Sequence, residues 1–247
     1  MTHAPYNDIA AWYDRYLQEQ PVYEDVVLPA LLSLLGSVQG QAICDLACGQ
    51  GWLARELARR GARMTGIDLA EQQIVLARQY EEQEPLGISY SVDDVQVGAS
   101  VVEGCFDGSI CILALMDIPD IEAVFRTCRR ILKPGGWFVF AITHPCFTAP
   151  DAQWMETADQ QIVRAVRGYF QERFWRSTAG GIRTRVGAYH RMLSTYLNTL
   201  ATAGFALERL VEPIATGKYA EQMPGYREVP SLAMIRASAI VLNNAVK

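Results

Sequence analysis

Between Gln41 and Ile142, short apolar runs alternate with segments of helical periodicity, and this alternation constrains the chain more than any other feature. Strands are predicted at Ala42–Ala47, Arg63–Ile67, Ile88–Val92, Gly108–Leu113 and Trp137–Ile142. Helices are predicted between them at Trp52–Arg60, near Glu71–Glu82 (closed by Pro85) and at Asp120–Leu132. In the last of these, Ile121, Val124, Phe125, Cys128, Ile131 and Leu132 recur at helical spacing until Lys133-Pro134-Gly135-Gly136 stops the pattern. Strands separated by helices require crossover connections, hence a parallel sheet covered on both faces. The expected fold class is therefore α/β.

Two segments flank this core. Ile9, Trp12, Tyr13 and Tyr16 fall on one helical face, and a second helix is expected over Tyr23–Leu35, ending at Gly36. Together they make an N-terminal helical cap over residues 1–38. Residues 145–190 lose clear periodicity and gain aromatics and arginines, which reads as an insertion. Beyond it, Arg191–Ala203 is expected as a helix stopped by Gly204, followed by strands Phe205–Val211 and Leu232–Ile240. The 247 residues, half of them hydrophobic, suit one domain of this kind.

Composition narrows the chemistry. The six cysteines form no C-x-x-C pair and only three histidines exist, so no metal-ligand spacing appears. Free thiols suit a reducing compartment. No window approaches the ~20 apolar residues that span a bilayer, and Met1–Pro5 lacks the basic start of a leader. The expectation is a cytoplasmic protein, monomeric or homodimeric, with no membrane partner.

The stretch Ile43-Cys44-Asp45-Leu46-Ala47-Cys48-Gly49-Gln50-Gly51 is a strand entering a glycine turn and then a helix. Glycine allows the backbone to bend sharply and a ligand to lie against it. Asp68 closes the next strand, where a carboxylate can accept hydrogen bonds from both hydroxyls of a ribose. Gly49-x-Gly51-x-x-Ala54 also matches a dinucleotide fingerprint, with a pyrophosphate at the helix N-terminus. Asp45 weighs against that reading, because a carboxylate beside the turn repels a pyrophosphate and suits an ammonium group. A purely structural turn is the third reading.

Taken with the Asp93-Asp94-Val95 turn and the Leu132-Lys133-Pro134-Gly135-Gly136 loop, Asp45-x-Ala47-x-Gly49-x-Gly51 and Asp68 resemble a class I S-adenosylmethionine-dependent methyltransferase of the small-molecule type. The order and spacing match from Tyr6 to about Ile142, and the closing helix and strand pair fit as well. Ala47 departs from the commonest form, which has Gly there. The resemblance implies a Rossmann-like seven-stranded sheet, parallel except for an antiparallel last strand, with helices on both faces and a lid inserted after strand five. It implies S-adenosyl-L-methionine as cofactor and S-adenosyl-L-homocysteine as product. The turn Ala47, Cys48, Gly49 and Gly51 would carry the methionine part, with Asp45 near its amino group. Asp68 would bind the ribose and Leu69 would lie beside the adenine. Asp94, flanked by Asp93 and Val95, would receive the adenine amino group, and Leu113 would line the inner edge. Tyr6 and Tyr13 resemble aromatic positions that fold over the cofactor, where a ring attracts the sulfonium charge.

Such chemistry asks the protein to align a nucleophile with the S–CH₃ bond, and a base is needed only where the nucleophile must lose a proton. His144 and Tyr6 are the catalytic candidates. His144 follows the fifth strand directly, at the end where an open α/β sheet faces its ligand crevice, and Pro145 restricts its backbone. A structural histidine bonded to the main chain and a substrate contact are the competing readings; His3 is expected to be exposed. Cys146 is expected to be inert.

Arg164–Arg191 carries seven arginines against the single acid Glu172, interleaved with aromatics. The segment holds +6 of charge and the rest of the chain −11, which together give the formal −5. Phe147, Phe174, Trp175, His190 and Arg191 are the substrate-binding candidates. Arginine with aromatics suits an aromatic or apolar acceptor bearing an anionic group. The same composition could grip RNA, but only three lysines and no appended RNA module weigh against it. An NAD(P)-dependent oxidoreductase and a cofactor-binding protein without catalysis complete the alternatives.

Overall fold

The computed structural model describes residues 4–241, so His3 lies outside the described residues. Helix α1 spans Ala10–Glu19, and a π-helical turn at Tyr23–Val27 runs directly into α2, Leu28–Leu35. The alternating core follows as β1 Ala42–Leu46, α3 Trp52–Ala58, β2 Arg63–Asp68, α4 Glu71–Gln83, β3 Ser89–Val92, β4 Phe106–Ile112, α5 Ile121–Ile131 and β5 Leu132–Thr143. The expected strand and helix boundaries hold to within a few residues, except that β5 begins early. Leu132 already pairs with Phe106, and Lys133–Gly136 bulge out before Trp137 pairs with Gly108. A Cβ at Gly108 would run into the Trp137 indole, so this close approach requires glycine.

The insertion holds two short hairpins that periodicity did not reveal. They are β6 Gln153–Glu156 with β7 Ile162–Ala165, and β8 Arg173–Trp175 with β9 Ala188–His190; α6, Ile182–Arg185, lies inside the second. Helix α7 spans Leu193–Thr202 rather than starting at Arg191. The chain then forms β10 Phe205–Val211, α8 Gly217–Gln222 and β11 Leu232–Ala239.

One seven-stranded sheet results, in the order β3-β2-β1-β4-β5-β11-β10. β11 is antiparallel to both of its neighbours and the other six strands share one direction, as expected. Alternation along β5 builds the two core layers. Phe138, Phe140 and Ile142 meet Phe125 and Cys128 of α5 and Leu200 of α7. Trp137, Val139 and Ala141 turn to the other face, toward Leu31 of α2, Leu57 of α3 and Ile74 of α4. Phe125, Phe138 and Phe140 are fully buried with ring centroids 5.3–5.8 Å apart, and each contributes about 2 kcal/mol or more by leaving water. Asp120 starts α5 by accepting from the Ala123 amide at 2.9 Å.

The doubly wound arrangement brings the C-terminal ends of β1, β2 and β4 to one rim, where a crevice opens. Among the described residues no helix is long and apolar enough to cross a membrane, and no cluster of His, Cys, Asp and Glu could hold a metal ion. All six cysteines are free thiols.

Candidate active site

The turn after β1 is built from left-handed backbone. Ala47, Gly49 and Gly51 have φ of 60°, 56° and 76°. Ala47 adopts a conformation that favours glycine, at a cost of roughly 1–2 kcal/mol. Gly51 ends the turn beneath Tyr90, whose hydroxyl a Cβ would strike, so it shapes the turn without bordering the cavity.

Asp68 ties this turn to α4. One carboxylate oxygen accepts from Gly49 N–H at 2.8 Å and the other from Ala70 N–H at 2.8 Å. Burial raises its pKa and these two hydrogen bonds oppose the rise. Each oxygen keeps a lone pair for a further donor. Asp45, 3% exposed at the end of β1, has its Oδ2 buried without a partner. Burial and then the Asp68 charge push its carboxyl well above the usual range. A ligand ammonium placed there would satisfy that oxygen and return the group to its charged form.

These residues open onto a cavity of about 1090 Å³. One wall is made of Asp45, Ala47, Cys48, Gly49, Asp68 and Leu69, continued by Asp94 and Val95. Asp94 Oδ1 is held by Gln96 through the backbone N–H at 2.9 Å and the side-chain amide at 3.0 Å. Leu113, just beyond β4, also borders the cavity with φ of 57°, a strained value for a branched residue of the kind found at ligand sites. Asp93 does not reach the cavity: it accepts from the Ser100 amide and hydroxyl at 2.7 and 2.6 Å and anchors its own loop.

The opposite wall is aromatic. Tyr6 and Tyr13 meet edge to face at 4.9 Å, and Tyr13 and Tyr23 bring their hydroxyls within 3.5 Å. Tyr6 Oη donates to Asp117 Oδ2 at 3.0 Å, and the other oxygen of Asp117 pairs with Arg183 of α6. Burial raises the pKa of Tyr6, and the Asp117 charge adds to it. Burial also raises Asp117, although Arg183 and Tyr6 pull it down. Sequence reasoning missed Asp117. The signal available was its place just past β4, at the strand end that faces the crevice.

The structure holds His144 away from the cavity. The ring is 2% exposed and does not border the cavity. Nδ1 accepts from Cys146 N–H at 3.3 Å, which leaves Nε2 to donate to Glu212 at 2.6 Å. The histidine therefore ties the end of β5 to the chain leaving β10. Phe147 packs tilted against that ring at 5.0 Å and is likewise away from the cavity. His190 is bonded through Nε2 to the Tyr169 carbonyl at 2.8 Å. Arg191, 8% exposed, donates to the carbonyls of Leu115, Ile118 and Pro119 and so fixes the loop after β4. Trp175 packs against the core. None of these three borders the cavity; Phe174 does, edge to face with Tyr189 at 5.0 Å.

The arginines of the insertion are mostly engaged within the protein. Arg164 donates to the Phe147 carbonyl, Arg173 pairs with Asp151, and Arg185 lies over the Trp12 ring. Of the seven arginines between Arg164 and Arg191, Arg176 alone borders the cavity, where Lys218 of α8 joins it.

A family model described as a methyltransferase domain matches residues 44–140. A ubiquinone biosynthesis O-methyltransferase from Chromobacterium violaceum is 35% identical over 133 residues, covering 53% of this chain and 56% of that protein. The chain thus spans little more than half the length of that curated relative. Among solved structures, a putative S-adenosylmethionine-dependent methyltransferase from Listeria monocytogenes is 26% identical, with 86% of this chain and 97% of that chain covered and a TM-score of 0.72. One from Mesorhizobium loti, titled an S-adenosylmethionine-dependent methyltransferase, is 30% identical with a TM-score of 0.74, covering 90% of this chain and 99% of that one. With a relative 30% identical and covered over 99% of its length, and a methyltransferase domain model matching residues 44–140, the chain belongs to the S-adenosylmethionine-dependent methyltransferases.

Proposed function

We propose that the chain methylates a hydroxyl oxygen of an aromatic small molecule, and that the acceptor lies against the tyrosine wall. The observation that carries this reading is the hydrogen-bonded pair Tyr6–Asp117, which borders the same cavity as the glycine turn. Asp45, Asp68 and Asp94 would hold the amino, ribose and adenine ends of S-adenosylmethionine. Bound there, it supplies a methyl group already activated by a sulfonium charge.

The protein's part is orientation, exclusion of water and proton transfer. Tyr6 and Tyr13 offer ring faces beside the position of positive charge. Phe174 and Tyr189 also line the cavity and would help to exclude competing water. The acceptor hydroxyl gives its proton to Tyr6 Oη as Tyr6 gives its own to Asp117. The oxygen freed of its proton would be the nucleophile toward the methyl group that bound S-adenosylmethionine would supply, with Tyr6 and Tyr13 lining its approach. Alignment of this kind lowers such a barrier by roughly 7–11 kcal/mol. Arg176 and Lys218 are the cavity cations able to hold an anionic substituent. The name of the Chromobacterium relative, an O-methyltransferase, supports oxygen as the atom methylated.

Incubation with S-adenosylmethionine labelled in its methyl group tests this, using hydroxylated aromatics with and without a carboxylate beside bulk tRNA. Label is expected in the hydroxylated aromatics, with the carboxylated members turning over faster. Label in tRNA alone would overturn the reading.

A further inference from the structure

The geometry points to Gln73 as a second residue of the ribose subsite, acting beside Asp68; this rests on the cofactor assignment above. Gln73 is in the first turn of α4, whose chain begins just after Asp68. It is 1% exposed, borders the cavity, and both its amide oxygen and its amide nitrogen are buried without a hydrogen-bond partner. A buried primary amide is costly unless something pairs with it, and apolar residues of similar volume would fill this place without that cost. The amide oxygen would be 3.8 Å from a Cβ at Gly49. Gly49 is the residue whose N–H binds Asp68 at 2.8 Å, so the carboxylate and the amide flank one point of the glycine turn.

The two side chains offer complementary chemistry to a cis-diol. A carboxylate only accepts, so Asp68 accepts the hydrogen bonds that the hydroxyls donate. Each hydroxyl oxygen then keeps lone pairs, and the Gln73 NH₂ supplies the donor that a carboxylate cannot. A site built to bond a hydroxyl rejects the analogue lacking it, because its own buried groups are left unpaired. Gln73 thereby becomes a specificity residue for ribose over deoxyribose, apart from any part in methyl transfer.

Calorimetric titration of the wild type and Gln73→Leu with S-adenosylhomocysteine and its 2′-deoxy and 3′-deoxy analogues tests this. Gln73→Leu is expected to weaken S-adenosylhomocysteine about fivefold, the net effect of one neutral hydrogen bond. It is also expected to shrink the penalty for at least one deoxy analogue by a similar factor, with the ligand-free Tm unchanged or raised. Equal affinities and equal deoxy penalties in both proteins would overturn the role of Gln73. A lowered ligand-free Tm with unchanged penalties would do the same, by making the amide a structural group. If Gln73→Leu does not fold, Gln73→Met carries the same comparison, and failure of both to fold would also count against the proposal. A wild type that binds no S-adenosylhomocysteine would instead contradict the cofactor assignment on which the proposal stands.

Discussion

Asp68→Ala is expected to weaken S-adenosylhomocysteine binding by at least about a hundredfold while leaving the fold intact. Two hydrogen bonds from ribose hydroxyls to a charged carboxylate contribute about 3 kcal/mol together at the low end of the range, and that is two decades in Kd. The substitution acts a second way, because Asp68 holds the Gly49 and Ala70 amides at 2.8 Å each and so sets the turn on which the methionine part would lie. Asp68→Asn separates the contributions. It keeps one acceptor oxygen for a backbone amide and loses the charge, so its affinity should fall between wild type and Asp68→Ala. Calorimetry with circular dichroism on each protein measures this. Wild-type affinity in Asp68→Ala would mean that the ribose lies elsewhere.

The second large effect concerns proton transfer. Tyr6→Phe removes the hydroxyl bonded to Asp117 at 3.0 Å and keeps the ring against Tyr13. We expect kcat to fall about 10²–10⁴-fold, the usual yield of a positioned acid–base group, with S-adenosylhomocysteine affinity retained. Asp117→Asn should lose turnover similarly, but it also strips Arg183 of its partner and lowers stability. Tyr6→Phe is therefore the cleaner arm. The relay needs Asp117 ionised, and burial raises its pKa from the usual carboxylate value while Arg183 and Tyr6 hold the rise back. Turnover should thus rise with pH through that raised value and fall on acidification, an acid limb absent from the residual activity of Asp117→Asn. Full kcat in Tyr6→Phe at saturating cofactor would remove the relay.

What was legible in the sequence follows the range over which each feature is determined. The turn Ala47–Gly51 and Asp68 could be read directly, because backbone freedom and the spacing of two strand ends are local properties. The sheet was legible for the same reason: each βαβ unit declares itself through periodicity over about 30 residues. Asp117 was not, since its partners Tyr6 and Arg183 lie 111 and 66 residues away and only the folded chain joins them. The place of the His144 ring was not legible for a related reason. Its position at the end of β5 says which end of the sheet it occupies and nothing about where the ring is held, and Glu212, 68 residues on, decides that. The +6 of Arg164–Arg191 told a similar half-truth. A sum of charges cannot say that Arg183 ends on Asp117 or Arg191 on three carbonyls, leaving Arg176 to border the cavity. The hairpins β6–β7 and β8–β9 were invisible because strands of three or four residues hold too few alternations to register.

The most direct test of the central claim is a crystal structure of the wild-type protein with S-adenosylhomocysteine. The account predicts the ribose hydroxyls on Asp68, the adenine between Leu69 and Val95, and the amino group on the buried oxygen of Asp45. It also predicts the sulfur facing Tyr6 across the space left for the acceptor. A ligand seated elsewhere, or one that leaves Asp45 and Asp68 without contacts to it, would contradict it.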